Sequence, residues 1–277
     1  MSMILLSDNG SKQADATLQL RTLADQLSTL TGKAIYPVSL QHADSISADK
    51  LNGKSADTFS DFVRNKLEQG EKEFVLLPLF FGNSRALTSF VPDEVTKLKE
   101  EYGEFNFILA DVIYPLPKGE PLLVDIIYQN ILQVAANHNK NIEHVVLVDH
   151  GSPVPEITDV RKQVAVDLKK RLSAKAMLSE ASMERREGKE YDFNGELLED
   201  ELIANAKAGV TEIIVAMMFF LPGRHAGACG DVDEICTRVM NIYPSLNVMI
   251  SPLISEQSLL SSILENRLNA ALLKFNG

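Results

Sequence analysis

Five histidines occur in the 277 residues: His42, His138, His144, His150 and His225. An imidazole accepts a proton near neutral pH, and its neutral form binds a borderline divalent ion that it can later release. His138 and His144 fall in or beside the polar stretch His138-Asn139-Lys140-Asn141, which reads as a solvated linker. His42 has no partner of its own type nearby. His150 and His225 are set apart by what precedes them. Val145-Val146-Leu147-Val148 runs into Asp149-His150-Gly151-Ser152, and the apolar run Ile213 to Leu221 leads into Pro222-Gly223-Arg224-His225. Short apolar runs closed by turn residues read as buried parallel strands. Two imidazoles at such strand ends suit Fe, Co, Ni or Zn. Glu184, in Ser182-Met183-Glu184 after a third run, offers a carboxylate as third ligand and proton relay. Arg224, Arg185 and Arg186 are candidate cations for an anionic ligand.

Other chemistries fit less well. Cys229 lies four residues after His225, but Gly227 and Gly230 argue against a helix there, so a buried or incidental thiol is the simpler reading. Gly151-Ser152-Pro153 could open a helix toward a phosphate, yet the Gly-x-Gly-x-x-Gly and P-loop lysine patterns are absent. No Gly-x-Ser-x-Gly elbow is present, which makes Ser152 a poor nucleophile.

The elements that must carry these residues repeat. The first copy reads as strands near 4–6, 34–40, 74–81 and 105–110, with helices near 12–31, 55–69, 92–102 and 120–137. The second reads as strands near 145–148, 175–181, 213–221 and 247–250, with helices near 156–172, 196–208, 231–242 and 256–273. Asp8-Asn9-Gly10-Ser11 matches Asp149-His150-Gly151-Ser152 at an offset of 141. Phe80-Phe81 matches Phe219-Phe220, and Pro92-Asp93-Glu94-Val95 resembles Val232-Asp233-Glu234-Ile235. Such a period marks two copies of a whole domain. Alternating strands and helices imply parallel sheets with helices on both faces, and ligands then bind beyond the carboxyl ends of the strands. The first copy has Asn9 where the second has His150, and Arg85 or Ala86 where the second has His225. Gln41 is the counterpart expected for Glu184.

Composition narrows the function classes. The net charge of −11, the 6% aromatic content and the lack of Trp disfavour a nucleic-acid or anionic-membrane surface. Two cysteines are too few for a disulfide scaffold or a four-cysteine zinc site. The N-terminus lacks a basic start, and no apolar run approaches the ~20 residues of a membrane span. A soluble cytoplasmic protein is expected.

The loop His150-Gly151-Ser152, together with Phe220-Leu221-Pro222-Gly223-Arg224-His225 and the following Asp233-Glu234-Ile235, resembles the sirohydrochlorin chelatase family. These are class II tetrapyrrole chelatases of the CbiX and SirB type. The resemblance implies an α/β fold of two tandem chelatase-like domains, each a four-stranded parallel sheet with helices on both faces. Residues 1–140 would form a domain without the metal-site histidines, and 141–277 the domain carrying the active site. It implies ATP-independent insertion of Co²⁺ or Fe²⁺ into sirohydrochlorin, in cobalamin or siroheme synthesis. His150 and His225 would hold the metal and take pyrrole protons, with Glu184 as acidic helper. Gly151, Ser152, Arg224 and Arg185 would meet the substrate. No permanent cofactor is implied. The expected partners are the tetrapyrrole and the divalent ion, with no nucleic acid and no membrane. Two other readings stand beside it: a non-catalytic metal or tetrapyrrole carrier, and a protoporphyrin ferrochelatase, whose family also opens its second half on a His-Gly loop.

Overall fold

A computed structural model describes residues 2–275. The chain divides into two compact units, residues Met1–Pro115 with Ser258–Gly277, and residues Leu116–Gln257. Each holds one four-stranded, all-parallel sheet. In the first unit β1 (Met3–Ser7), β2 (Ile35–Pro37), β3 (Glu73–Pro78) and β4 (Asn106–Leu109) lie in the order β2-β1-β3-β4. In the second, β5 (His144–Asp149), β6 (Met177–Ser182), β7 (Glu212–Met217) and β8 (Asn247–Ile250) lie in the order β6-β5-β7-β8. The expected α/β class and duplicated parallel sheets are what the structure contains. The expected second strand near 34–40 shortens to Ile35–Pro37, a proline-bearing edge strand.

Among the described residues eight α-helices follow the sequence periodicity: α1 (Ala14–Thr31), α2 (Phe59–Glu68), α3 (Val91–Tyr102), α4 (Pro121–Asn137), α5 (Pro155–Lys169), α6 (Leu198–Lys207), α7 (Asp231–Ile242) and α8 (Leu259–Leu273). Successive strand residues point to opposite faces, so the middle of each central strand is apolar on both. Leu5 and Leu76 join Phe59, Phe62 and Leu98 in the core under α2 and α3, while Ile4, Leu6, Val75 and Leu77 are buried on the other side. In the second unit Val146, Val148 and Val215 join Leu198, Leu202 and Cys236 under α6 and α7. Among the described residues no helix is long and apolar enough to cross a membrane.

The last helix of each sequence copy is exchanged. α4 follows β4 in the chain but packs against α5 and β7, and α8 follows β8 but packs against α1 and β3. Polar ties hold the exchange. Arg267 of α8 donates to the carbonyls of Val112 and Ile113 at 2.9 and 3.0 Å, and Asn130 of α4 donates to Pro252 at 3.1 Å. The compact units therefore break at Pro115 and Gln257, whereas the sequence copies meet near 138–144. A fragment spanning residues 116–257 retains the helix covering its own sheet, and it should unfold cooperatively when expressed alone. A fragment spanning 141–277 lacks α4 and should aggregate or bind hydrophobic dye. Equal cooperativity of the two in thermal melts would contradict the exchange.

Candidate functional site

β5 and β7 are paired neighbours, with Val148 opposite Met217. Their carboxyl ends lie side by side, about 4.8 Å apart as in any sheet. His150 follows β5 directly. His225 follows β7 after a loop that closes on itself: Gly223 N–H donates to Ala226 at 2.7 Å, and Val232 N–H donates to the carbonyl of His225 at 3.2 Å. The result is a pair of imidazoles with ring centroids 4.5 Å apart, nearly perpendicular at 83°.

The partners of each ring fix its tautomer. His225 Nδ1 lies 2.6 Å from Asp231 Oδ2. An ionised carboxylate can only accept, so Nδ1 carries the proton and Nε2 presents its lone pair. His150 Nδ1 lies 3.0 Å from the carbonyl oxygen of Gly151, which again accepts only. His150 Nε2 then faces Glu184 Oε1 at 3.4 Å. In the neutral ring these are two electron-pair donors aimed at one another, and a proton or cation between them satisfies both. The side chains remain open to solvent, at 46% for His150, 58% for Glu184 and 29% for His225. Among the described residues no three His, Cys, Asp or Glu side chains form a ready cage for an ion.

Backbone pairing sets the position of Glu184. Met183 N–H donates to Asp149 at 2.8 Å and Glu184 N–H to His150 at 3.1 Å. Gly151 sits at φ +87°, and a Cβ there would run into the Glu184 carbonyl. The first unit repeats this backbone. Leu40 N–H donates to Asp8 at 2.9 Å, Gln41 N–H to Asn9 at 3.2 Å, and Gly10, at φ +96°, crowds the Gln41 carbonyl. Gln41 and Asn9 thus occupy the places of Glu184 and His150, as their spacing suggests. Where His225 stands in the second unit, the first has Arg85 and Ala86 leading through a wide turn, Ala86–Phe90, straight into α3.

The other expected residues are distributed unevenly. Arg224 is free to solvent along most of its side chain (76%), with Nε 3.7 Å from Asp231 Oδ2. Arg185 is engaged at home, donating to Gly195 at 3.0 Å and lying 3.5 Å from Asp192. Arg186 stacks over Tyr191 at 5.9 Å. Ser152 Oγ accepts from Val154 N–H at 3.0 Å at the entry to α5. Cys229 is exposed rather than buried and lies before α7 begins, so the helical spacing to His225 does not operate. Cys236 is the buried thiol, pushed up to about 12 by burial and by Asp233.

Two groups of residues around the site were not anticipated. One is Asp231, the partner of His225, hidden in sequence beside Asp233 and Glu234. The other is a buried network around Arg161. Its guanidinium is fully enclosed and bonds Asp149 at 2.5 Å, Glu180 at 3.0 Å and the Asn194 carbonyl at 2.6 Å. Burial pushes the Asp149 carboxyl up from its ordinary value, and Arg161 pulls against that. Asp8 repeats Asp149 at the matching strand end, so this recurrence alone did not reveal the network.

A model of the CbiX family matches residues 3–134 and again 144–271. The chain belongs to the CbiX family. Both copies match, which agrees with the paired sheets. SirB from Bacillus subtilis with Fe³⁺ is similar in fold at 15% identity, covering 98% of this chain and 96% of that one, with a TM-score of 0.69. The Bacillus subtilis subspecies spizizenii sirohydrochlorin chelatase SirB in complex with cobalt gives 14% identity, coverage of 98% and 95%, and a TM-score of 0.67. The CbiX described as the terminal enzyme of siroheme synthesis in denitrifying bacteria gives 13%, 97% and 99%, and 0.61. None of the curated protein sequences matches.

The first-unit counterpart of Asp149 has a testable electrostatic consequence. Asp8 Oδ1 is shielded from solvent without a hydrogen-bond partner, and burial pushes its carboxyl up against the Ser39 hydroxyl and the Gly10 amide. A raised folded value means the native state holds the proton longer than the unfolded chain. Stability from this group is then lost as pH rises from the unfolded value, about 3.9, through the folded one. Asp8→Asn should raise the melting temperature at pH 7 and do so less at pH 4. A gain that is equal at both, or larger at pH 4, would contradict this.

Proposed function

We propose that the chain inserts a divalent metal, Co²⁺ or Fe²⁺, into sirohydrochlorin without ATP, in siroheme or cobalamin synthesis. The observation that carries this reading is the imidazole pair with ring centroids 4.5 Å apart, one ring backed by Asp231 and the other facing Glu184. Metal insertion has two requirements: partial dehydration of the ion, and removal of two N–H protons from the macrocycle. Nε2 of His225 and Nε2 of His150 are the lone pairs that hold the ion as substrate, and Glu184 offsets its charge. As the macrocycle nitrogens take the metal, the two imidazoles and the Glu184 carboxylate are free to receive the pyrrole protons. Asp231 stabilises the imidazolium this creates on His225.

Openness of the site favours delivery over storage. A carrier that retains its ion needs a closed set of three or four ligands. Two imidazoles and one solvated carboxylate hold an ion weakly enough to surrender it to four macrocycle nitrogens, which supports the chelatase over the carrier reading. Sirohydrochlorin carries many carboxylates, so it needs cations locally despite the net charge of −11. Arg224, exposed beside His225, suits that role; Arg185 would have to give up its contacts to Gly195 and Asp192. Protoporphyrin, with fewer carboxylates, makes less use of such a cation. The CbiX membership and the SirB and CbiX folds support the same reading.

Loss of the free sirohydrochlorin absorption spectrum on adding Co²⁺ or Fe²⁺ follows the reaction directly. His150→Ala and His225→Ala should each slow it by at least ~10²-fold, the low end for a lost acid–base group. Asp231→Asn should slow it by ~10-fold or more, the scale for a lost orienting partner. Asn9→Ala, at the matching place in the first unit, should leave the rate unchanged. Full activity in both histidine variants would reject the assignment, and preference for protoporphyrin would move it to the related reaction.

A further inference from the structure

We propose that Arg161 is a positioning residue that holds the His150 loop in register with His225, an inference that rests on the metal-insertion reading of that pair. Its three nitrogens reach three separate segments: Asp149 at the end of β5, Glu180 in β6, and the carbonyl of Asn194 in the loop after β6. Two of these contacts, those to Asp149 and Asn194, are relayed to the residues around His150. Asp149 Oδ1 also accepts from Gly151 N–H at 3.0 Å. Asn194 closes on the same loop from the other side. Its Oδ1 accepts from Ser152 N–H at 2.9 Å and from the Thr158 hydroxyl at 3.2 Å, and its amide donates to the Ser152 carbonyl at 2.9 Å. His150 is thus preceded by Asp149, which Arg161 bonds directly, and followed by Gly151 and Ser152, whose backbone groups it anchors at one remove.

The first unit is an internal control for what the fold alone requires. α1 begins at Ala14 and α5 at Pro155, the same offset of 141 that relates Asp8 to Asp149. At that offset Thr17 stands for Thr158, both buried, but Leu20 stands for Arg161. The backbone bonds from Leu40 to Asp8 and from Gln41 to Asn9 form there without an arginine. A buried guanidinium cannot shed its charge and is tolerated only with full pairing. The second unit keeps this arrangement where a histidine replaces Asn9, so the network goes with the site rather than with the sheet.

The test compares Arg161→Met/Asp149→Asn, which removes the buried cation together with its closest anion, with Arg161→Lys, which keeps the charge but cannot span three segments. Three readouts are taken in the full chain: thermal melting, imidazole NMR of His150 and His225 without metal, and calorimetric titration with Co²⁺ alone. The double variant should melt cooperatively, with His150 resonances shifted and broadened and those of His225 unmoved. Its Co²⁺ affinity should fall ~10-fold or more, the range for lost outer partners of a ligand. Arg161→Lys should show the same His150 signature, and it decides the matter if the double variant does not fold. Wild-type His150 resonances and Co²⁺ affinity in a folded variant would overturn the proposal. If the wild-type chain binds no Co²⁺, the metal-insertion reading falls, and the His150 resonances still decide the role of Arg161.

Discussion

Parallel pairing of β5 with β7 brings His150 within reach of His225, although 74 residues of chain separate them. Neighbouring parallel strands end at the same edge, one strand spacing apart, so whatever follows each of them meets its counterpart there. The pairing of β1 with β3 imposes the same meeting in the first unit. There Asn9 follows β1, and the chain after β3 carries Arg85 and Ala86 in place of a second imidazole. The sheet dictates where chemistry can happen, and the loop residues decide whether it does.

Within the second unit the site is a balance of charges. His225 is fixed by a carboxylate, and His150 is aimed at one. Behind them Arg161 pairs with Asp149 away from solvent, while His150 and Glu184 stay exposed. This division suits a transient ion. In the enclosed network each guanidinium nitrogen has an acceptor, whereas His150 and Glu184 are reached by water.

Most of the fold was legible in the sequence because buried parallel strands are written as continuous apolar runs. Val145 to Val148 and the first part of Ile213 to Leu221 are such runs, although the strand expected over 213–221 ends at Met217 and its last four residues belong to the loop. The shortening of β2 is a consequence of Pro37 and its edge position. The helix exchange was not legible. An apolar stripe such as Leu123, Ile127 and Ile131 on α4 fits either sheet equally, and nothing local in the sequence selects one. At the site, His150, His225 and Glu184 stood out by residue type at strand ends, and the correspondence of Gln41 with Glu184 followed from matched turns. Asp231 did not stand out because three acids crowd the start of α7. Arg161 was invisible because a cation between apolar helix positions reads as a surface residue until its partners are located.

The central claim is that His150 and His225 hold one ion between them. A crystal structure of the chain with Co²⁺, located by anomalous scattering at the cobalt edge, tests it most directly. The account predicts a single ion bound by Nε2 of both rings with an open coordination face, and Glu184 turned toward it. Cobalt bound elsewhere, or to one ring with the other turned away, would contradict it.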